Sequence, residues 1–288
     1  MKGVVLAAGR GSRLYPMTGA LSKEVLPVYD KPMIYYSLAT VMLAGIRDMA
    51  IVTNPDNNNI LRKLLGNGSR WGISINFMIQ REPKGIADAL LLAKDFVGGG
   101  NCMLILGDNI LLGSGLEQEI TCATDDIDGC TIFGFQVDNP EQYGVVSFDD
   151  YGAPTRISEK PAKPDSNWAI PGIYFYDNDV FKIAADLTPS DRGEIEISDV
   201  NHRYLADGKL KLHRLGSEFS WFDAGTPERF LDAANYIRDL SHSLGKSVMA
   251  PEEIAHSKNW VSTCQLAELG QAMLPSEYGK HLLAVSRM

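Results

Sequence analysis

The sequence has few cysteines, no long hydrophobic run and no excess of positive charge, and each shortage excludes a class of protein. Four cysteines occur among the 288 residues, none in a Cys-x-x-Cys pair: Cys102, Cys122, Cys130 and Cys264. A chain of this length buries a core without disulfides, so we expect buried free thiols. The longest apolar runs, such as residues 4–8 and 103–106, are far below the roughly 18 residues that span a bilayer, so no membrane segment is expected.

The charge balance argues against nucleic acid as a partner. Lysine and arginine number 27 and aspartate and glutamate 36, which leaves a net charge of −9. Attraction to a phosphate backbone or an anionic bilayer is therefore disfavoured. A phosphorylated ligand must be held by a few placed cations. The N-terminus carries no extended apolar leader or small-residue cleavage pattern, so we expect a cytoplasmic protein.

The first half of the chain alternates apolar runs with helical patterns. Strands buried on both faces are predicted at residues 3–8, 49–53, 74–79 and 102–106. Helices are predicted at about 57–65 and 87–96, and a clearer one has Asp30 as N-cap, Pro32 in its first turn and Gly45 as its stop. This order predicts an α/β fold, a Rossmann-like doubly wound sheet, mostly parallel but mixed, with helices on both faces. Its ligands are expected beyond the strand C-termini.

The second half has shorter strands and ends in a helical segment. Strands are predicted at residues 131–137, 145–148, 155–159, 172–176 and 210–215, and helices at about 178–187, 196–206 and 227–243. The last helix has Thr226 as N-cap and Gly245 as its stop. We divide the chain into a domain at 1–245, with one part to about 130 and a second part from 131, and a helical C-terminal appendage at 246–288.

A glycine-rich loop follows the first predicted strand. Gly9 and Gly11 let the backbone approach an anion, and free N–H groups at such a turn can hold phosphate oxygens. The loop does not match the Walker A motif. It also does not match the Rossmann G-x-G-x-x-G pattern, because Leu14 occupies the position of the third glycine. Arg13 and Lys23 add the charge that a triphosphate needs.

Four further positions carry side chains suited to phosphate and metal chemistry. Asp108 ends an apolar strand and Asp223 follows another short strand, and two converging carboxylates would suit Mg²⁺. Lys160 at a strand end and Arg192 in a polar turn could hold a sugar phosphate. Read alone, each of these side chains is equally compatible with a solvated surface position. The five histidines form no H-E-x-x-H unit, so no zinc site is predicted.

The motifs together resemble the sugar nucleotidyltransferase family, and within it the bacterial enzymes that transfer thymidylyl groups to glucose 1-phosphate. The resemblance covers essentially the whole chain and is carried by residues 6–14, 22–23, 26–36, 43–46, 80, 106–109, 143–146, 159–161, 172–176, 192–194 and 221–226.

The resemblance implies a reaction in which a sugar 1-phosphate attacks the α-phosphorus of dTTP and pyrophosphate leaves, with Mg²⁺ as cofactor. The product, dTDP-glucose, would supply the biosynthesis of deoxysugars of the dTDP-rhamnose type and of cell-surface polysaccharides. The partners implied are dTTP, glucose 1-phosphate and further copies of the chain in a homotetramer, without nucleic acid or membrane.

The resemblance also implies a nucleotide-binding part to about residue 130 and a sugar-phosphate-binding part at about 131–245, and it assigns roles to residues. Those implied for the nucleotide are Leu6, Ala8, Gly9, Gly11, Ser12, Arg13, Lys23, Gln80 and Gly85, the last two at the thymine. Those implied for the sugar phosphate are Asn109, Tyr143, Gly144, Glu159, Lys160, Gly172, Arg192 and Trp221. The catalytic residues implied are Arg13, Lys23, Asp108 and Lys160, with Asp108 and Asp223 on the metal.

Departures from the family pattern leave alternatives open. Ala8 stands where a second glycine is frequent in the family, and Glu24 stands where glutamine is usual. Pro171 is a third departure, in the segment that leads to the sugar pocket. Glu117 and Gln118 replace a frequent His-Glu in a segment that lines the family's end-product inhibition site. The alternatives are uridylyl transfer, another sugar 1-phosphate, an NAD-dependent oxidoreductase on a similar sheet, and a silent nucleotide-sugar sensor.

Overall fold

A computed structural model describes residues 1–125 and 127–287. The strands are β1 Lys2–Ala7, β2 Pro27–Val28, β3 Lys31–Pro32, β4 Asp48–Thr53, β5 Ser74–Ile79, β6 Cys102–Leu106, β7 Asn109–Gly113, β8 Cys130–Gln136, β9 Gly144–Phe148, β10 Pro154–Glu159, β11 Trp168–Ala169, β12 Ile173–Tyr176, β13 Leu210–Arg214 and β14 Phe219–Asp223. The helices are α1 Ile34–Leu43, α2 Pro55–Leu65, α3 Ile86–Leu92, α4 Lys94–Val97, α5 Leu116–Thr124, α6 Val180–Asp186, α7 Ile197–Ala206, α8 Pro227–Leu244, α9 Pro251–Ser257, α10 Thr263–Ala272 and α11 Glu277–Val285.

Ten strands form one mixed sheet, in the order β10-β9-β11-β8-β12-β6-β1-β4-β5, with β13 also paired to β8. Strands β6, β1, β4 and β5 are parallel neighbours, and Leu6 on β1 lies opposite both Leu106 and Val52. The apolar runs predicted these four strands, and β1, β4 and β6 are largely buried as expected, whereas the edge strand β5 exposes Ser74, Asn76 and Ile79. The α/β fold class is confirmed, and the C-terminal ends of β1, β4, β5 and β6 share one edge.

A two-stranded ribbon stands apart from the main sheet and carries site residues. Strand β7 pairs with β14 in antiparallel register, so that Asn109 lies opposite Asp223. The backbone N–H of Ala224 also donates to the carbonyl of Asp108 at 3.1 Å. The sequence analysis did not identify β7, because Gly107-Asp108 after β6 resembles a turn that leads to a helix.

The predicted start of the first long helix is wrong. Lys31 and Pro32 pair with Pro27 and Val28 as a short β ribbon, and the helix begins at Ile34 with Met33 before it. The side chain of Asp30 instead forms an ion pair with Lys31 and accepts a hydrogen bond from Ser247, so it is not an N-cap. The Asp30 carboxylate therefore pairs with the buried Lys31 and does not cap the helix.

Of two other helix predictions, one is confirmed only in part and one is confirmed. The helix predicted at 87–96 is two helices, α3 and α4, which meet at Ala93. Helix α8 is capped as predicted, with Thr226 Oγ1 accepting from the N–H of Arg229 and Gly245 at a φ of 62°.

The C-terminal helices pack on the core of the main domain. Helix α9 lies against α1, and Ile254 and Val261 belong to the same buried cluster as Trp71. Gly72 has a φ of 67°, and a β-carbon there would lie 2.6 Å from the carbonyl oxygen of Trp260. The domain boundaries proposed from the sequence stay a prediction.

The cysteines are all free, but the expectation that all are buried is wrong. Cys102 and Cys130 are buried on β6 and β8, whereas Cys122 and Cys264 are exposed on helix surfaces. Burial raises the pKa of the Cys102 thiol to about 12. Among the residues that the structure describes, no helix combines the length and the apolar character needed to cross a bilayer.

Candidate active site

A cavity of about 230 Å³ opens at the C-terminal ends of β1, β5 and β6. Its lining includes seven residues predicted for the site: Leu6, Ala8, Gly9, Lys23, Gln80, Gly85 and Asp108. Glu24, Ile86 and Glu194 complete part of its wall. The loops after parallel strands meet here because those strands end at one edge of the sheet.

The glycine-rich loop is held in place from two sides. Gly11 adopts a φ of 62°, which favours glycine, and its carbonyl accepts a 2.9 Å hydrogen bond from Thr18 Oγ1. Asn54, at the end of β4, donates from Nδ2 to the carbonyl of Ala8 at 3.1 Å. Ser12 and Arg13 lie in a short 3₁₀ turn and are exposed. The sequence analysis missed Asn54, although Asn-Pro after a strand is a helix N-cap pattern.

Lys23 and Asp108 form the ion pair at the centre of the site. Burial alone would lower the pKa of Lys23, but the carboxylates of Asp108 and Glu24 raise it above the ordinary lysine value. Burial opposes ionisation of Asp108, and the Lys23 ammonium nevertheless holds the pKa of that carboxyl below its usual range. The pair therefore places a fixed positive and a fixed negative charge beside the glycine-rich loop.

Asp223 lies beside Asp108 and is surrounded by cations. Its Oδ2 forms a 3.2 Å ion pair with Nη1 of Arg229. Burial, and next the neighbouring Asp108 carboxylate, raise the pKa of Asp223, while Arg13, Lys23 and Arg229 act in the opposite direction. Gly225 lets Arg13 approach, since a β-carbon there would lie 2.5 Å from the guanidinium. The two aspartates that the sequence analysis selected are brought together.

These two carboxylates fit a divalent metal ion. Mg²⁺ takes oxygen ligands, commonly one or two carboxylates together with substrate phosphates. Asp108 also raises the pKa of Asp223, a repulsion that a divalent cation between them would offset. Within residues 1–125 and 127–287 no cluster of three or more His, Cys, Asp or Glu side chains is placed to hold a metal ion. The remaining ligands would have to come from water and substrate.

Asn109 joins the carboxylates to the residues predicted for the sugar phosphate. Its Nδ2 donates to Asp108 at 3.2 Å, and its Oδ1 accepts from the backbone N–H of Gly172 at 2.8 Å and from Trp221 Nε1 at 2.7 Å. The indole of Trp221 packs against the ring of Tyr143, with centroids 4.8 Å apart. Four predicted sugar-side residues are therefore in one connected group.

A second group of predicted sugar-side residues surrounds Glu159. Its carboxylate accepts from Ser198 Oγ and lies 3.6 Å from Lys160 Nζ and 3.8 Å from Arg192 Nη1. Gly144 is required here, because a β-carbon would lie 2.9 Å from Ser198 Oγ. Lys160 follows β10 with a φ of 41°, a strained conformation for lysine.

Gln80 shapes the wall of the cavity at the ends of β1, β5 and β6. Its Nε2 donates to the carbonyl of Gly85 at 3.1 Å and to Asp88 at 2.8 Å. Gly85 has a φ of 104°, and a β-carbon there would lie 2.5 Å from the carbonyl of Ile195. Gln80 therefore fixes the turn before α3.

Three more residues contribute to the site without having been selected from the sequence. Ser37 on α1 donates to the carbonyls of Leu106 and Asn109, which holds the Asp108 turn. Glu24 is fully buried beside Lys23 and burial raises its pKa, while Arg229 contacts Asp223. A buried serine in a helix and an arginine in a first helical turn carry no recognisable pattern in sequence.

A family model described as nucleotidyl transferase matches residues 2–239. The chain belongs to the nucleotidyl transferase family. It is 46% identical over 286 residues to glucose-1-phosphate thymidylyltransferase of Xanthomonas campestris pv. campestris, covering 99% of this chain and 97% of that protein. As a family member the chain is a nucleotidyltransferase, and the oxidoreductase alternative is wrong.

Solved structures share the nucleotidyl transferase architecture. A Bacillus anthracis chain assigned as a glucose-1-phosphate thymidylyltransferase, crystallised with sucrose, is 38% identical, with a TM-score of 0.77 over 83% of this chain and 96% of that one. A UDP-glucose pyrophosphorylase complexed with UDP-glucose has a TM-score of 0.73 over 83% of this chain and 98% of that one. At 24% identity, this likeness shows a shared fold and carries no conclusion about substrates.

A larger cavity of about 1120 Å³ lies elsewhere in the structure, and neither Asp108 nor Asp223 is among its lining residues. The segment with the unusual Glu117 and Gln118 lines it together with α8 and α9. Glu117 forms a 2.7 Å ion pair with Lys258 at this place. Regulation by an end product at this cavity stays untested.

Proposed function

We propose that this nucleotidyltransferase transfers a thymidylyl group from dTTP to α-D-glucose 1-phosphate, giving dTDP-glucose and pyrophosphate. The observation that carries the proposal is the pairing of the buried Asp108 with the partly buried Asp223, between a cavity lined by Gln80 and the group of residues around Asn109. The 46% identity to a thymidylyltransferase over nearly the full chain supports the choice of substrates.

The proposed reaction joins two anions. A phosphate oxygen of glucose 1-phosphate attacks the α-phosphorus of dTTP in line, a P–O bond forms, and the bond to pyrophosphate breaks. The attacking oxygen is already anionic, so no protein side chain has to remove its proton. Catalysis therefore depends on bringing the substrates together and on neutralising the charge that develops at phosphorus.

The chain supplies cations for both tasks. Arg13 and the backbone N–H groups of the glycine-rich loop would hold the triphosphate, and Lys23 would lie at the transferred phosphoryl group. Lys160 and Arg192 would hold the sugar phosphate, both exposed by nearly half in the ligand-free state and so accessible. Their present partner, Glu159, would bind sugar hydroxyls instead.

The proposed metal is Mg²⁺, held by Asp108 and Asp223. When bound, it would supply Lewis-acid stabilisation and a template for phosphate oxygens. Lys23 forms an ion pair with Asp108 and Arg229 forms one with Asp223, so each carboxylate has a cationic partner.

The proposed base contact is at Gln80 and Gly85. Both Nε2 hydrogens of Gln80 are donated within the chain, to the Gly85 carbonyl and to Asp88, so Oε1 is the atom that would accept from the N3–H of thymine. Thymine and uracil differ by one methyl group, and such a difference changes specificity by about 1–3 kcal/mol. We therefore expect lower but measurable activity with UTP.

A substrate matrix tests this function. Pyrophosphate release is measured with dTTP, UTP, dCTP, ATP and GTP, each against glucose, galactose, mannose and N-acetylglucosamine 1-phosphates, with Mg²⁺ and with EDTA. The proposal expects the highest kcat/KM for dTTP with glucose 1-phosphate and none with EDTA. A higher kcat/KM for UTP would establish uridylyl transfer instead, and NTP binding without turnover would establish a sensor.

We further propose that the protein is a cytoplasmic homotetramer that supplies dTDP-glucose for deoxysugar and cell-surface polysaccharide biosynthesis. Helix α8 exposes Leu231 and Leu244 by about half, which supports an apolar contact between copies. Light scattering of the purified chain gives its subunit number, and a monomer would refute the assembly.

A further inference from the structure

Arg229 lies between the two halves of the candidate active site. Its Nη1 is 3.2 Å from Oδ2 of Asp223, and its Nη2 donates to Oε1 of Gln142 at 2.6 Å. The guanidinium carbon is 5.0 Å from the ring centroid of Tyr143. One side chain therefore contacts a carboxylate of the proposed metal site and the loop at residues 140–143 that leads into the sugar pocket.

The position of Arg229 is fixed by the start of α8. Its backbone N–H donates to Oγ1 of the N-cap residue Thr226 at 3.5 Å, which places it in the first helical turn directly after the Asp223 strand. The side chain is 21% exposed. A planar guanidinium can contact two acceptors and a ring face at once, whereas an ammonium group has no such geometry.

We propose that Arg229 is a positioning residue that joins the Asp223 carboxylate to the sugar-side loop and competes with a divalent cation for Asp223. The inference rests on the proposed function, because it assigns glucose 1-phosphate to the pocket beside Tyr143.

The first part of the proposal concerns the sugar pocket. Tyr143 packs on Trp221, and Trp221 donates to Asn109, so the Tyr143 ring forms one wall of the group around Asn109. Arg229 stacks on that ring and holds the neighbouring Gln142. Without Arg229 the loop loses both contacts, so sugar-phosphate binding weakens.

The second part concerns the carboxylate. Asp223 and Asp108 repel one another, and Arg229 forms an ion pair with Asp223. A divalent ion must displace or share this contact. Removal of Arg229 therefore frees Asp223 and strengthens binding of a divalent cation in the absence of substrates.

The two effects have opposite signs, which separates positioning from general damage. Arg229→Ala is expected to raise the Kd of glucose 1-phosphate about tenfold or more, equal to about 1.4 kcal/mol, and to tighten Mg²⁺ binding severalfold. Arg229→Lys keeps a cation near Asp223, so its Mg²⁺ affinity stays near native while sugar-phosphate binding still weakens. Gln142→Ala removes only the loop contact and behaves as Arg229→Lys does.

Isothermal titration of the full chain supplies both readouts. Glucose 1-phosphate is titrated in EDTA, and MgCl₂ alone is titrated without substrate, with the Mg²⁺ concentration for half-maximal turnover as a second measure. Arg203→Ala, which removes an exposed arginine that pairs with Asp207 on α7, is the matched control and leaves both affinities unchanged.

The outcomes distinguish the inference from the proposed function. If the native chain neither binds nor turns over glucose 1-phosphate, the proposed function fails. If it does both and Arg229→Ala binds the sugar phosphate normally, or loses affinity for sugar phosphate and Mg²⁺ alike, the inference alone is overturned. If Arg229→Ala does not fold, Arg229→Lys and Gln142→Ala decide, and native sugar-phosphate affinity in both overturns it.

Discussion

The indole N–H of Trp221 donates to Oδ1 of Asn109 at 2.7 Å, across the β7–β14 ribbon. The same oxygen accepts from Gly172 N–H, which comes from the main sheet at the start of β12. Nδ2 of Asn109 reaches the carboxylate of Asp108. A single amide side chain therefore connects the ribbon, the sheet and the proposed metal site.

Asn109→Ala tests this connection. The change leaves Trp221 Nε1 and Gly172 N–H without their acceptor, and each unsatisfied buried donor costs about 1–3 kcal/mol. We expect lower stability and a KM for glucose 1-phosphate raised about tenfold or more, with a smaller change in the KM for dTTP. Denaturant unfolding and steady-state kinetics measure both. Asn167→Ala, which removes an exposed amide, serves as control, and a native KM for the sugar phosphate in Asn109→Ala would refute the assignment.

Asp108→Asn tests the proposed metal site. The substitution keeps the shape of the side chain but removes the charge that faces Lys23. Loss of charge stabilisation at phosphorus should lower kcat by a factor of about 100 or more. Pyrophosphate release measures turnover, and circular dichroism checks the fold. Asp165→Asn, at an exposed ion pair with Arg156, should keep native turnover. Near-native kcat in folded Asp108→Asn would contradict the proposal.

Glu24→Gln is predicted to make stability less dependent on pH. Burial raises the pKa of Glu24 above its ordinary value of 4.5, so the folded state holds this proton more tightly than the unfolded state. The stabilising effect of that proton is complete below the unfolded pKa and is lost as pH rises through it towards the raised folded value. The Tm of Glu24→Gln relative to native should therefore increase between pH 4 and pH 8.

The control for Glu24 is an exposed glutamate. Glu268 lies on the surface of α10, and Glu268→Gln should leave the pH dependence of Tm unchanged. A constant Tm difference between Glu24→Gln and the native chain across this range would show that Glu24 is ionised equally in both states. The orphaned Oε1 of Glu24, buried without a hydrogen-bond partner, makes that result unexpected.

Gly72→Ala tests the docking of the C-terminal helices. A methyl group there would lie 2.6 Å from the carbonyl oxygen of Trp260, in addition to the strain of a φ of 67°. Gly45→Ala is the matched control, because Gly45 has a φ of 74° and nothing within 4 Å of an added β-carbon. We expect Gly45→Ala to cost about 1–2 kcal/mol of unfolding free energy and Gly72→Ala clearly more. Equal costs would mean that the contact with Trp260 is absent in solution.

Local patterns in the sequence predicted most of the elements of the sheet and one helix cap. The runs that became β5 and β6 were predicted with their observed bounds, although only β6 is apolar and buried along almost its whole length, and the edge strand β5 exposes Ser74, Asn76 and Ile79. Thr226 and Gly245 marked the ends of α8, because capping depends on residues adjacent to the helix. The predicted N-cap at Asp30 is wrong, because the contacts of its side chain with Lys31 and Ser247 form only in the folded chain.

The sequence by itself determined the α/β class, the glycine-rich loop and which polar residues end the strands, because these depend on spacing along the chain. The tertiary structure decided that Asp108 lies beside Asp223 and that Arg229 and Glu24 contact the site. Those relations join residues more than one hundred positions apart, or depend on burial. Side-chain proximity and desolvation arise only when the sheet and ribbon have closed around them.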